Sequence, residues 1–232
     1  MQFSHSTEIW QDFPELVAGV LFAEGIGGNA SIDAAVVKFN AIAATRLAAG
    51  PEGELPEIQA WRRTFSHMGL KPTQYRCASE ALLRRFRQEG SLPRLHPLVD
   101  LCNAVSLAFA IPVAIFDVAK IAGDLQVRYA TGAETYQTFS GEIENPGARE
   151  VIFADAESRA HARRWTNRQS GHSAVNASTS SVLIVAEAMH ASAAADVRKL
   201  VAALAGELGA IWSVTAKTGI LERSSPRFEV RG

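Results

Sequence analysis

Apolar positions recur at two different periods along this chain, and the change from one to the other falls near residue 110. Before it the spacing is helical. Residues 31–49 are Ala-rich with recurrent apolar positions, predicting a helix that Gly50-Pro51 ends. A second helix is expected over 54–67, stopping near Gly69. A third is expected over 77–88, where Ala78, Leu82 and Phe86 repeat at the i, i+4 interval of one buried face and Gly90 supplies the stop. Leu98, Leu101, Val105 and Ala108 predict a largely buried helix over residues 97–109. Beyond it, residues 113–117, 125–129, 150–154 and 181–187 are short apolar or alternating runs separated by Gly, Pro, Asn and Asp, which read as strands. The tail returns to helix over 193–207 and is expected to end with a strand over 211–216. Near the start, residues 15–26 are β-leaning and run into Gly25-Ile26-Gly27-Gly28, which lacks the G-x-G-x-x-G order and the Walker Lys-Ser/Thr and therefore reads as a turn.

The expected fold class is α+β: a compact layered domain with a mixed or antiparallel sheet packed against helices. Residues 61–190 would form its core, with 1–60 and 191–232 completing or flanking it. No internal repeat or long low-complexity linker interrupts the chain. At 232 residues and 47% apolar, it can bury a substantial core.

Charge changes this picture in one respect. The formal net charge is only −1, yet residues 61–94 carry eight Lys/Arg against Glu80 and Glu89, interleaved with Trp61, Phe65 and Tyr75. Residues 1–60 and 95–158 are each at −6, and 159–232 at +5. Near neutrality excludes indiscriminate polyanion binding by the whole surface, so an RNA contact would be a patch. Cys77 and Cys102 lack Cys-x-x-Cys spacing and lie in predicted helices, which suits reduced, buried thiols. The start MQFSHSTEIWQDFP has no basic stretch followed by an apolar run, and no stretch of about 18 apolar residues occurs. A cytoplasmic protein without a membrane partner is expected.

The order of residues narrows the reading further. Trp61-Arg62 is followed by Pro72-x-x-Tyr75-Arg76-x-x-Ser79-Glu80-Ala81-Leu82, then Leu92-Pro93-x-x-x-Pro97-Leu98-Val99-Asp100-x-x-Asn103-x-x-Ser106. Next come Pro112 and Asp117, Phe153-Ala154-Asp155, Arg164-Trp165-x-x-Arg168-Gln169, and Ser181-Val182-Leu183 before Glu187. In succession these blocks resemble the tRNA-binding and editing domain, B3/B4, of the phenylalanyl-tRNA synthetase beta subunit, in a free-standing form. That resemblance implies a deacylase that hydrolyses the ester of a mischarged aminoacyl-tRNA. Its expected partners are tRNA or aminoacyl-tRNA, with the amino-acid moiety as a small ligand and no DNA. Asn103 and Glu187 would be the catalytic pocket groups. Tyr75, Arg76, Glu80, Arg84, Trp165, Arg168, Gln169 and Thr179 would contact substrate or RNA, with Arg76–Glu80 as a supporting charge pair and Thr179 facing the pocket. Several also have a structural reading: Asn103 as a buried hydrogen-bonder, Trp165 as a core aromatic, Arg76–Glu80 as an ordinary i, i+4 pair, and Glu187 as a solvated strand residue.

One departure matters. Synthetase editing domains carry a His two residues after the Pro matching Pro112, and here that position is Ala114. A methyl cannot replace an imidazole as a hydrogen-bonding group. The alternative is therefore a non-catalytic module, binding RNA or a small molecule, that keeps the fold. His67, His96, His161 and His172 form no His-x-x-x-His or His-Glu-x-x-His pair, and no G-x-S-x-G elbow or ATP site is present, so no metal or cofactor is expected.

Overall fold

The central strand of the molecule is also its most apolar run. A computed structural model describes residues 1–231, and in it β10 (Ser181–Ala188) is buried at all eight positions. A strand covered on both faces needs no polar alternation, which is why SVLIVAEA reads as nearly continuous. β10 pairs antiparallel with β2 (Val17–Glu24) on one side and β3 (Val113–Asp117) on the other. With β11 (Lys217–Leu221) they form a four-stranded sheet in the order β11-β2-β10-β3.

One face of this sheet carries three of the helices. Val182, Ile184 and Ala186 pack with Leu98, Leu101 and Val105 of α5 (Pro97–Phe109) and with Val197, Leu200 and Leu204 of α6 (Ala193–Trp212). α2 (Asp33–Ala49) joins the same cluster through Ala35 and Phe39. Gly19 on β2 permits the close approach of α6, since a Cβ there would meet Val197 Cγ1 at 2.7 Å.

The other face, bearing Leu183, Val185 and then Glu187, belongs to a larger core. Its far wall is a six-stranded sheet, ordered β12-β1-β4-β7-β8-β9. Those strands are β12 (Arg227–Glu229), β1 (Gln2–His5), β4 (Leu125–Tyr129), β7 (Val151–Ala154), β8 (Ala160–Arg163) and β9 (Arg168–Gln169). β1 and β4 run parallel and the other pairs are antiparallel. α3 (Pro56–His67) and α4 (Ala78–Glu89) bring Ile58, Trp61, Phe65, Leu83 and Phe86 into the same core. The short helix α1 (Thr7–Asp12) and the hairpin of β5 (Tyr136–Gln137) and β6 (Ile143–Glu144) complete the molecule. The fold is α+β, with mixed sheets, as the apolar pattern predicts.

Three expectations need correction. The strand expected over 211–216 is absent: α6 continues to Trp212, Ser213 caps it with a left-handed φ of 56°, and the strand comes later at Lys217–Leu221. The apolar stripe Val197, Leu200/Val201, Leu204, Leu208 holds the helix together through Gly206 and Gly209. The buried face of α4 is Ser79, Glu80, Leu83 and Phe86 rather than Ala78, Leu82 and Phe86, because Glu80 turns inward to an arginine of α3. Residues 2–12, unassigned by pattern, form β1 and α1; the Ser6 hydroxyl caps the latter by accepting from the Ile9 N–H at 3.4 Å.

Candidate functional site

Glu187 lies on the core-facing side of β10 and is only 2% exposed. Its Oε1 accepts from Trp165 Nε1–H at 3.0 Å and lies 2.6 Å from His5 Nε2. Its backbone carbonyl accepts from Trp61 Nε1–H at 3.3 Å. The two indoles meet edge to face with ring centroids 5.3 Å apart. Burying a carboxylate demands such partners, and the chain supplies two to Oε1, from β1 and from the turn between β8 and β9, while α3 supplies Trp61 to the backbone carbonyl.

Trp165 reaches Glu187 through an unusual turn. Between β8 and β9 both Arg164 and Trp165 adopt left-handed backbones, with φ of 47° and 56°. Such a conformation costs a bulky L-residue about 1–2 kcal/mol and persists because the surroundings impose it. Here the Trp165 N–H is held by the Val151 carbonyl at 2.8 Å and the indole is fully enclosed. Trp165 is thus a core aromatic and cannot stack on a nucleobase as an RNA-facing residue would.

Beside Glu187 is a small inner pocket of about 60 Å³, bordered by Pro112, Ala114, Trp165, Gln169 and Val185. Gln169 and Val113 also border a second, larger cleft of about 560 Å³. Gln169 donates from Nε2 to the Ile115 carbonyl, which fixes its side chain at the junction. The larger cleft is walled by Leu95, His96, Val99 and Asn103 on one side and by residues 174–177 on another, with Phe139 also on its border. Asn103 therefore borders the outer compartment and Glu187 the inner one. Leu95 and Phe139 are 70% and 75% exposed, so this cleft carries large apolar side chains that water has not excluded.

Of the remaining sequence candidates only Arg168 borders either pocket. Thr179 does not border either compartment; its hydroxyl donates to Asp117 Oδ2 at 2.8 Å and accepts from the Asn176 N–H at 3.0 Å, anchoring the loop that walls the cleft. Arg168 borders the inner pocket, 3.3 Å from Glu144 and over the Tyr136 ring. Tyr75 stacks under the Arg164 guanidinium. Arg76 lies 3.6 Å from Glu80, but the tight partner of that buried carboxylate is Arg62, at 2.6 Å. Arg84 is exposed. The basic segment is largely neutralised: Arg85 pairs with Glu89, Arg87 with Glu52, and Arg94 with Asp33. Two of those acids come from the acidic first sixty residues, so the opposed blocks of charge meet instead of forming two faces.

Two other polar clusters resemble sites. Ser173 Oγ lies 2.8 Å from His161 Nδ1, and His161 Nε2 lies 3.1 Å from Asp155 Oδ2. Ser173 is wholly enclosed, so the chain of bonds is a pin between loop and sheet. Burial pushes the Asp155 carboxyl up, but His161 and the N–H groups of Arg159 and Ala122 outweigh it and the net shift is downward. Glu57, His190 and Asp196 place one possible metal-ligand atom each within 4.8 Å of one another. Arg46 already holds both Glu57 oxygens, at 2.7 and 2.8 Å, and Lys199 lies 3.3 Å from Asp196, so two cations oppose a third there. Cys77 and Cys102 are free and buried, which pushes the Cys77 thiol up to about 12 and the Cys102 thiol up as well. No helix among the described residues is long and apolar enough to cross a membrane.

Comparison with known proteins gives this arrangement a family. The B3/4 domain profile matches residues 60–203, well over half of the chain, and the chain belongs to that family. Its relatives include phenylalanine–tRNA ligase beta subunits. That of Bartonella henselae is 29% identical over 93 residues, 40% of this chain and 11% of the relative. That of Legionella pneumophila (strain Paris) is 34% identical over 70 residues, 30% of this chain and 9% of the relative. That of Shewanella oneidensis is 30% identical over 103 residues, 44% of this chain and 13% of the relative. The matches thus span only about a tenth of those subunits. An N-terminal fragment of the phenylalanyl-tRNA synthetase beta subunit from Pyrococcus horikoshii aligns over 92% of this chain and 49% of its own, at 10% identity and a TM-score of 0.45.

The motif order singles out Asn103 and Glu187, and each borders one of the two pockets. His5, beside Glu187, and His96 and Phe139, on the larger cleft, are not among the motif residues. Only His96 left a signal, as a polar residue immediately before a helix-initiating proline.

Proposed function

We propose that this protein binds the aminoacylated end of a tRNA and hydrolyses the ester of a wrongly attached amino acid. The reading is supported by two adjoining pockets that share Val113 and Gln169 in their linings. The inner one, closed by the Glu187 carboxylate, takes the amino-acid side chain and selects for a hydrogen-bond donor there. The outer one takes the ester and the terminal nucleoside, whose base stacks on the exposed ring of Phe139. Asn103 places a water beside the acyl carbon. The water oxygen bonds to that carbon, the carbon–oxygen ester bond breaks, and the released ribose oxygen takes up a proton. An ester is already activated, so positioning supplies much of the acceleration without a protein nucleophile.

A second reading is favoured by one specific feature. Ala114 presents a methyl to the inner pocket where synthetase editing domains have an imidazole. A pocket so altered is suited to a binding module that holds the aminoacyl end without cleaving it. A deacylation screen over a panel of correctly and incorrectly charged tRNAs separates the two. Turnover of one charged species, lost in Asn103→Ala and Glu187→Gln, supports the hydrolase. Binding of charged tRNA with no turnover leaves the module, and neither binding nor turnover removes both.

A further inference from the structure

The largest unanswered polar group bordering the outer cleft is an imidazole. His96 stands at the N-cap of α5, and its Nδ1 accepts from the Leu98 backbone N–H at 3.2 Å. An acceptor nitrogen carries no proton, so the neutral ring must hold its hydrogen on Nε2. Burial pushes the His96 imidazole down, against a smaller upward pull from Asp100, which keeps the neutral form dominant at neutral pH. Its Nε2 is buried and has no hydrogen-bond partner among the described residues. It points toward Gly28, where an added Cβ would lie 3.8 Å away, and both residues border the cleft. His96, Val99 and Asn103 follow one another at i, i+3 and i+7, so one side of α5 with its N-cap supplies three residues of one cleft wall.

We infer that His96 is a substrate-contacting residue whose Nε2–H donates a hydrogen bond to the acyl carbonyl oxygen of the bound ester. This assignment rests on the hydrolase reading above. No proton is transferred by the ring. As water adds to the acyl carbon, the carbonyl oxygen gains negative charge and the bond from Nε2–H strengthens. It then relaxes when the ester oxygen departs. A donor held ready in an apolar cleft favours the transition state over the ground state, because it needs no reorganisation as the charge develops. The imidazole that Ala114 lacks is supplied by a different element, at the other compartment.

Two substitutions separate the two ring nitrogens. His96→Asn keeps an acceptor at the position of Nδ1 and loses everything at Nε2, so the helix cap survives and the donor does not. His96→Gln keeps an N–H near the Nε2 position and loses the cap. The experiment is single-turnover hydrolysis of the charged tRNA that wild type cleaves, with thermal melting and imidazole ¹⁵N spectra of each protein. The expected result is an Nε2–H tautomer in the free protein and near-native melting of His96→Asn. Its rate at saturating substrate should fall by about 10²-fold, whereas His96→Gln retains a rate within about 10-fold of wild type despite melting earlier. An Nδ1–H tautomer overturns the assignment, as does undiminished hydrolysis by His96→Asn. Those failures leave the hydrolase reading standing, whereas no turnover by wild type across the panel removes that reading and this inference together.

Discussion

Replacing Glu187 with alanine should cost this protein far more than replacing it with glutamine, and the difference can be worked out from the contacts of one oxygen. Oε1 accepts from Trp165 Nε1 at 3.0 Å and faces His5 Nε2 at 2.6 Å. His5, Trp165 and Glu187 are 4%, 0% and 2% exposed, so water cannot take over either contact. Alanine leaves two buried groups unpaired, at about 1–3 kcal/mol each. The space left by the shortened chain adds about 1 kcal/mol more. The expected loss is therefore about 3–7 kcal/mol, and at about 2–4 °C per kcal/mol for a chain of this size, a melting point lower by roughly 6 °C or more. Glutamine keeps an oxygen acceptor in place and loses only the assistance of charge, which is worth about 1–2 kcal/mol. Urea unfolding followed by tryptophan fluorescence reads both values, since Trp61 and Trp165 flank the site. The reasoning fails if alanine costs less than about 1 kcal/mol, or if glutamine is as damaging as alanine.

Further expectations follow from other parts of the molecule. Burial pushes the Glu134 carboxyl up, but the Thr131 N–H and the Arg128 guanidinium outweigh it and hold it down from an ordinary 4.5 to about 2. A depressed folded-state value stabilises above the unfolded value and is lost as pH falls through the folded one, so between about pH 6 and about pH 3 wild type should lose roughly 2 kcal/mol more than Glu134→Gln; parallel acid limbs would refute the assignment. Both thiols are buried, so the native protein should react with a disulfide reagent only at the rate at which it opens, and prompt labelling of either Cys77 or Cys102 would contradict their placement. Gly19→Ala drives a methyl into Val197 of α6 and should destabilise by about 1–3 kcal/mol in chemical unfolding, with a neutral result arguing against that sheet–helix approach.

What the sequence disclosed and what it withheld follow a physical division. α5 and β10 were legible because each buries a pattern that a single element generates: an i, i+3, i+4 stripe in one, a continuous apolar run in the other. The motif order singled out Asn103 and Glu187 but not their separation, since α5 covers one face of the four-stranded sheet and Glu187 projects from the other. β1 was invisible because four residues with one His give no period, and its partners β4 and β12 lie more than a hundred residues away. Nothing in the composition of Arg164-Trp165 announces two consecutive left-handed residues, so the inward turn of Trp165 could only be seen in three dimensions. Segregated charge was plain, whereas its cancellation, through Arg87–Glu52 and Arg94–Asp33, required the fold.

If the two pockets that share Gln169 hold an aminoacyl end, chemical-shift mapping will reveal it. The probe is a panel of non-hydrolysable 3′-aminoacylamino adenosine analogues, titrated into ¹⁵N-labelled protein. One analogue should shift the Trp165 indole N–H, which reports on Glu187, together with the side-chain amides of Asn103 and Gln169. Shifts confined to the polar groove of about 580 Å³ around Ser4, Gln126 and Arg227, or none with any analogue, would contradict it.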